Sequence, residues 1–236
     1  MKTAIVTGAT RGIGRAIAVK LSELGYNVLG LYRNSVVIAD ELSKKYKKIF
    51  YHRTDVSKEK EVKNTLELAI NKFGQIDVLV NNAGIDLFGE IEKYSSKDFN
   101  EMIGVNLKSI FLLSKYSIPY LKKSNNPVII NISSRIGFPE FTEEKFVIYG
   151  MVKAGVTSFA VGLSKELKKS GIRVNVVIPT PTKTDLFDEV FTPEEETMLK
   201  NKGKLGKPEY AANLVIELIK DRSANGKILV DKRVYL

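Results

Sequence analysis

The chain has 236 residues, 44% of them hydrophobic, and its 37 lysines and arginines outnumber 27 acids to give a net charge of +10. That length can bury a full core, and the lack of cysteine excludes disulfides, a thiolate metal site and a cysteine nucleophile. The positive charge does not predict a nucleic-acid partner, because Lys44, Lys45, Lys47, Lys48, Lys168, Lys169, Lys200, Lys202 and Lys204 are interleaved with acids and do not alternate with aromatics; as a field it would draw in a polyanionic cofactor.

Strands and helices alternate along the chain. Thr3 to Val6 reads as a first strand ending in Thr7, Gly8, Ala9, Thr10, Arg11, Gly12, Ile13 and Gly14, and Ala16, Ile17, Ala18 and Leu21 follow at helical spacing up to Gly25. Glycines let such a turn approach a pyrophosphate, and the helix N-terminus offers free N–H groups; the GxxxGxG spacing would equally suit a structural turn. Asn27 to Leu31 is the second strand and runs into Tyr32, Arg33 and Asn34, where a dinucleotide fold chooses its cofactor. An acid there would accept from a ribose 2′-hydroxyl. None is present, so Arg33 with Arg11 predicts a 2′-phosphate clamp and NADP(H) over NAD(H), unless both are solvated surface arginines.

A helix through Val37, Ala39, Leu42 and Tyr46 precedes a third strand, Ile49 to His52, in which His52 is expected to be a strand residue, not a ligand or base. After it, Asp55 beside Val56 can accept from an adenine amino group or lead into a helix capped by Ser57. That helix continues through Val62, Leu66, Ala69 and Ile70. A fourth strand, Ile76 to Val80, ends in Asn81, Asn82, Ala83 and Gly84, which could pass beneath a cofactor or simply form a turn. Ser95 to Asp98 offers a capping box for a long helix through Phe99, Met102, Ile103, Leu107, Ile110, Phe111 and Leu113. Asn106 within it is either a satisfied core amide or a functional hydrogen-bonding group.

Val128 to Ile132 is the fifth strand, and Ser133 and Ser134 at its carboxyl end can donate to a substrate oxygen or begin a loop. The next helix carries Tyr149 and Lys153 at i and i+4, a phenol and an ammonium on one face, with Ala154, Val156, Phe159, Ala160 and Leu163 on its apolar side. A nearby cation would bring tyrosine down from its usual pKa of about 10 toward the range of proton transfer, although the same spacing occurs on many solvated helices. Ile172 to Ile178 is the sixth strand, leading to Pro179, Thr180, Pro181, Thr182, Lys183 and Thr184, and Lys227 to Asp231 is the last.

No Pro/Gly/Ser linker divides the chain, so residues 1–236 are expected to form one domain. The run Met1 to Val6 is short for a signal peptide, and no stretch reaches the roughly 18 apolar residues of a bilayer span, so no membrane partner and a cytoplasmic location are expected.

In this order, Thr7 to Gly14, Asp55, Asn81 to Gly84, Asn106, Ser134, Tyr149 with Lys153, and Pro179 to Thr184 resemble the short-chain dehydrogenase/reductase family over residues 3 to about 184. The similarity is to its NADPH-using 3-oxoacyl thioester reductases. It implies an α/β Rossmann fold, a doubly wound parallel sheet of about seven strands in the order 3-2-1-4-5-6-7 with helices on both faces. It also implies Tyr149 as the acid that protonates a carbonyl oxygen, Ser134 rather than Ser133 bonded to that oxygen, Lys153 lowering the Tyr149 pKa and holding the nicotinamide ribose, and Asn106 positioning a relay water. Cofactor contacts are implied for Gly8, Thr10, Arg11, Gly12, Ile13, Gly14, Arg33, Asp55, Val56, Asn82, Ala83, Gly84, Tyr149, Lys153, Pro179, Thr180, Thr182 and Thr184, with Thr184 and the backbone after Pro179 on the carboxamide and no metal. The implied reaction is NADPH-dependent reduction of a small-molecule ketone, oxoacyl thioester or aldehyde. Oxidation of an alcohol or sugar, and a non-catalytic NADP-binding sensor, are the alternatives; a homodimer or homotetramer is expected.

Three departures from the family pattern stand out. The longer connection from Ser134 to Tyr149 predicts a rebuilt loop over 135–146, Thr180 stands where Pro-Gly is usual, and Lys232 to Leu236 replaces the usual glycine ending. Residues 185–207 are expected to form a substrate lid containing a short helix with Thr192 as N-cap, Pro193 at N1 and Glu195 at N3. Leu186, Phe187, Val190 and Phe191, with Phe138 and Phe141, would line an apolar pocket or join the core, and Arg135 would meet an acidic substrate or solvent.

Overall fold

The computed structural model describes residues 1–188 and 190–232, with the side chain of Leu186 outside that description. Seven strands, β1 (Thr3–Thr7), β2 (Asn27–Tyr32), β3 (Ile49–Arg53), β4 (Val78–Asn81), β5 (Val128–Ile132), β6 (Arg173–Ile178) and β7 (Ile228–Val230), form one parallel sheet in the order β3-β2-β1-β4-β5-β6-β7. Every residue of β1, β4, β5 and β6 is buried, as required of parallel strands covered on both faces. One face packs Val28, Val80, Ile130 and Val177 against helices α1 (Gly12–Glu23), α2 (Val36–Lys45) and α9 (Pro208–Lys220). The other packs Ile5, Leu79, Ile129 and Val176 against α3 (Glu59–Phe73), α5 (Ser109–Leu121) and α6 (Val147–Glu166). The remaining helices are α4 (Ser96–Ile103), α7 (Asp185–Asp188) and α8 (Pro193–Asn201).

The strand order reverses where β1 meets β4, with Thr3 paired to Asn27 on one side and Ala4 to Val78 on the other. This switch opens a crevice outside the carboxyl ends of the strands. Thr7 and Asn82 hold the two sides of the seam together. Thr7 Oγ1 accepts from Asn82 N (2.9 Å) and Ala83 N (2.8 Å), while Asn82 Nδ2 donates to Thr7 O at 2.8 Å.

Several expectations are corrected at the level of local structure. β4 begins at Val78, after a buried Asp77 whose carboxylate accepts from Thr3 N, Gln75 Nε2 and Ser124 Oγ. Ser57 does not cap a helix: its N–H (3.1 Å) and hydroxyl (2.6 Å) both donate to Asp55 Oδ1, and α3 starts only at Glu59. Val37 is 72% exposed, and Ala39 is the fully buried residue of α2. The long helix from Ser95 is interrupted by a π turn, Gly104–Lys108, between α4 and α5. Ser95 accepts from Asp98 N as foreseen, but the Asp98 carboxylate turns to the Ser95 hydroxyl, so the reciprocal half of the box is absent. By length and composition α6 could cross a membrane, contrary to the sequence reading; in the fold its Val156, Ala160 and Leu163 are buried.

Arg173 ties the start of β6 to the end of α9. Its 7% exposed side chain donates to the carbonyls of Leu218 (2.8 Å), Asp221 (2.8 Å), Ile219 (3.2 Å) and Ala224 (3.4 Å) at the end of α9, and to Asn126 Oδ1 (3.3 Å). A guanidinium there satisfies orphan carbonyls and meets the negative end of the helix dipole.

Candidate active site

A cavity of about 450 Å³ occupies the crevice. Its wall includes Gly8, Thr10, Arg11, Gly12, Ile13, Arg33, Asp55, Val56, Asn82, Ala83, Gly84, Ser134, Tyr149, Lys153, Pro179, Thr180, Thr182 and Thr184, so all but two of the residues singled out in the sequence meet in one place. Gly14 and Asn106 do not line it. A Cβ on Gly14 would fall 2.1 Å from the Gly8 carbonyl oxygen, so this glycine brings α1 against the turn before it. Gly12, with φ +50°, faces Thr184, whose Cγ2 would lie 3.0 Å from a Cβ there.

At the α1 end, the helix begins without a side-chain cap and without an acid in its first turn, leaving its dipole end suited to an anion. Tyr32, Arg33, Asn34 and Ser35 form the adjacent rim. Arg33 pairs with Glu101 Oε1 at 3.1 Å, the two side chains 40% and 39% exposed. Burial pushes the Asp55 carboxyl up, but the Ser57 hydroxyl and N–H, with Lys58 and Arg33, hold it below the usual range.

At the other end, Tyr149 sits in the first turn of α6 and lines the cavity with Ser134 and Asp86. Ser133 is spent elsewhere, donating to Lys153 O at 2.9 Å and sharing a hydrogen with Thr157, so geometry favours Ser134. Lys153 is 6% exposed, its Nζ donates to Ile132 O at 3.2 Å, and it lies 5.4 Å from the Tyr149 ring centroid. The expected lowering of the Tyr149 pKa is not seen. Burial, and then the negative charge of Asp86, push the phenol well above 10, while the Ser134 hydrogen bond pulls the other way. Burial also lowers the Lys153 pKa, with Asp86 opposing it.

Asn106 is engaged with the segment after β4. Its Oδ1 accepts from Ile85 N at 2.8 Å, and its Nδ2 donates to Ile85 O at 2.7 Å and meets Met102 Sδ at 2.8 Å. Both ends of the amide thus hold the segment after β4. The π turn rotates this side chain to that position, a distortion often found at functional sites.

The apolar lining is partly as expected. Phe187, Val190 and Phe191 line the cavity; Phe138 packs into the core and Phe141 lies against the Arg135 guanidinium, 5.7 Å from ring centroid to Cζ. In their place stand Phe88 and Phe146, ring centroids 4.6 Å apart and 6.2 and 6.5 Å from that of Tyr149. The lengthened connection forms two short 3₁₀ turns, Arg135–Gly137 and Pro139–Phe141. Arg135 lines the cavity and pairs with Glu143 at 3.5 Å. Thr180 is 2% exposed and firmly placed: its hydroxyl donates to Lys204 O at 2.5 Å, and its carbonyl accepts from Thr182 Oγ1 at 2.7 Å. Thr192 and Glu195 form the expected capping box on α8. Residues 233–236 of the unusual ending lie outside the described residues.

Sequence reasoning missed Asp86, Phe88 and Phe146. For Asp86 a signal existed, since a carboxylate two residues beyond Gly84, just past a strand flanking the switch point, is carried to the crevice. The two phenylalanines gave none, because only the packing of separate loops brings them to Tyr149.

The short chain dehydrogenase family model matches residues 2–195. The curated protein 3-oxoacyl-(acyl-carrier-protein) reductase FabG of Escherichia coli (strain K12) is 34% identical over 228 residues, covering 94% of this chain and 91% of its own length. FabG of Staphylococcus aureus (strain Mu50) is 33% identical, covering 94% of this chain and 92% of its own. Among solved structures, a short chain dehydrogenase from Burkholderia cenocepacia J2315 in complex with NADP has a TM-score of 0.89 at 27% identity, covering 97% of this chain and 95% of that one. A dehydrogenase/reductase from Sinorhizobium meliloti 1021 has a TM-score of 0.89 at 28% identity, covering 97% and 92%.

Proposed function

Because the chain belongs to the short chain dehydrogenase family, we propose that it reduces a carbonyl group to an alcohol, with NADPH as hydride donor and Tyr149 as proton donor. The observation that carries this reading is the meeting of Tyr149, Ser134 and Lys153 in the same cavity as the glycine turn. Similarity to curated reductases supports reduction over oxidation.

The residues fit a dinucleotide. Gly12 leaves room beside Thr184, the uncapped α1 terminus suits a pyrophosphate, and Arg11 and Arg33 flank a rim without an acid where NADP carries its extra phosphate. NADPH, when bound, supplies the hydride. Ser134 and Tyr149 then hold the substrate oxygen between two hydrogen bonds, Tyr149 passes its proton to it, and Lys153 offers an ammonium for the ribose hydroxyls. Asn106 acts by positioning, through Ile85. Residues 1–236 act as one domain in which 185–207 is the lid, and Phe88, Phe146, Phe187 and Phe191 take the apolar part of a small-molecule substrate. A cytoplasmic homo-oligomer goes with this reading, with the half-exposed Phe111, Val147 and Met151 on the outer sides of α5 and α6 as its contact.

The test is NADPH oxidation over a panel of carbonyl compounds by wild type and Tyr149→Phe. Loss of the acid is expected to lower kcat/KM by about 10² to 10⁴. Full activity in the variant would overturn the mechanism, and stronger thermal stabilisation by NAD⁺ than by NADP⁺ would overturn the cofactor assignment.

A further inference from the structure

Among the described residues four cationic side chains line the cavity, and under the proposed function Arg11, Arg33 and Lys153 serve the cofactor. The fourth, Arg135, has no part in it. Arg135 directly follows Ser134 and opens the 3₁₀ turn Arg135–Gly137, which is pinned at several points. Its carbonyl accepts from Phe138 N at 2.9 Å, Ile136 N donates to Ser134 Oγ at 3.4 Å, and a Cβ on Gly137 would fall 2.7 Å from Ala154 N, so the turn is seated on α6 beside Lys153. The guanidinium thus springs from a fixed base next to the hydroxyl proposed to hold the substrate oxygen.

The Arg135 side chain is 20% exposed, and a charge so covered needs a partner to offset its lost hydration. It lies 5.7 Å from the Phe141 ring centroid, and among the described residues its one side-chain hydrogen bond runs from Nη2 to Glu143 Oε1 at 3.5 Å. Glu143 lines the same cavity and is 53% exposed. A single long contact to a half-exposed carboxylate is weak, and it uses one donor of a planar fork that can match both oxygens of a carboxylate. Glu143 therefore shows where a carboxylate meets Arg135 inside the cavity and is readily exchanged. Asp86, the other acid on this half of the cavity, also borders a second recess that holds Lys93 and Lys145.

We propose that Arg135 is a specificity-determining residue that binds a carboxylate of the substrate in place of Glu143, so that the carbonyl compound reduced is an oxo acid. The inference rests on the carbonyl-reductase reading and narrows its substrate class. The contact is made away from the reacting carbon, in ground state and transition state alike, so it acts on KM more than on kcat.

The test is NADPH-dependent kcat and KM for 3-oxobutanoate, 4-oxopentanoate and 5-oxohexanoate, each beside its methyl ester, in wild type, Arg135→Met, Arg135→Lys and Glu143→Gln. For at least one chain length wild type is expected to favour the acid over its ester by about tenfold in kcat/KM, the size of a hydrogen bond between charged groups. Arg135→Met should lower that ratio at least about fivefold, through KM, and Arg135→Lys, which keeps the charge without the fork, should fall between. Glu143→Gln removes the competing carboxylate and should raise it. The ratio is taken within each protein, so partial unfolding does not move it, and Arg135→Lys carries the comparison if the methionine variant does not fold. An arginine that only braces its loop would slow acid and ester alike. No acid preference in wild type at any of the three lengths, a preference undiminished in the Arg135 variants, or a ratio lowered by Glu143→Gln overturns the inference. Turnover of no carbonyl compound in the wider panel overturns instead the carbonyl-reductase reading and this inference with it.

Discussion

Asn106→Asp changes one atom of the clamp that positions the segment after β4. The retained oxygen still accepts from Ile85 N, but the atom that replaces Nδ2 is an acceptor facing Ile85 O at 2.7 Å and Met102 Sδ at 2.8 Å, in a side chain 1% exposed. The lost donor is worth about 1 kcal/mol, and a buried carboxylate opposed to a carbonyl adds about 1–3 kcal/mol, for a total of about 2–4 kcal/mol at neutral pH. For a domain of this size that is a fall in Tm of about 10 °C. Protonation restores the donor, so the deficit belongs to the ionised form and shrinks as pH falls. Thermal unfolding of wild type and variant at a series of pH values, followed by circular dichroism, reads the gap directly. A gap below about 0.5 kcal/mol at neutral pH, or one that does not narrow on acidification, would refute the clamp as described. Activity should fall with stability, because Asp86 and Phe88 ride on the segment that Ile85 anchors.

Other perturbations follow the same logic. Arg173→Met leaves the carbonyls at the end of α9 without their donor and is expected to cost about 3–5 kcal/mol in urea unfolding with KM for NADPH unchanged; a cost under 1 kcal/mol would show that water replaces the guanidinium. Glu101→Gln frees Arg33 from a half-exposed pair worth under about 1 kcal/mol, so NADPH should bind up to about fivefold tighter with Tm unchanged, and weaker binding would remove Arg33 from the cofactor site. Burial lowers the His52 pKa against the pull of Glu61. The unfolded chain then takes up its proton first as pH falls, so stability contributed by neutral His52 is lost as pH falls through its ordinary value of about 6.5 and below, and His52→Gln should flatten that slope in thermal melts.

The fold was legible because its parallel strands are continuous apolar runs punctuated by glycines and amides, and periodicity identifies such runs well. Boundaries slipped where a polar side chain captured backbone, as Asp77 does before β4 and Asp55 before α3. At the site, Gly8, Gly12, Asn82, Ser134, Tyr149 and Lys153 lie on one cavity, in keeping with the family resemblance. The charge balance on Tyr149 was not legible from Tyr149 and Lys153 alone, because i and i+4 place two side chains on one face without saying what else reaches them. The loop after β4 brings Asp86 to the same cavity, and β5 offers the ammonium the Ile132 carbonyl.

The π turn at Gly104–Lys108 adds one residue to a helix that is otherwise regular. Removing a single residue from 104–108 would close the widened turn to a continuous α-helix with α4 and α5 near their present relation, because a π turn absorbs its extra residue locally. The Asn106 clamp would leave its place while Met102, Leu112 and Leu113 stayed in the core. Chain length in this stretch is therefore constrained more tightly than residue identity: a one-residue deletion disables the site without unfolding the protein, whereas most conservative exchanges at the exposed Phe99 or Phe111 should not.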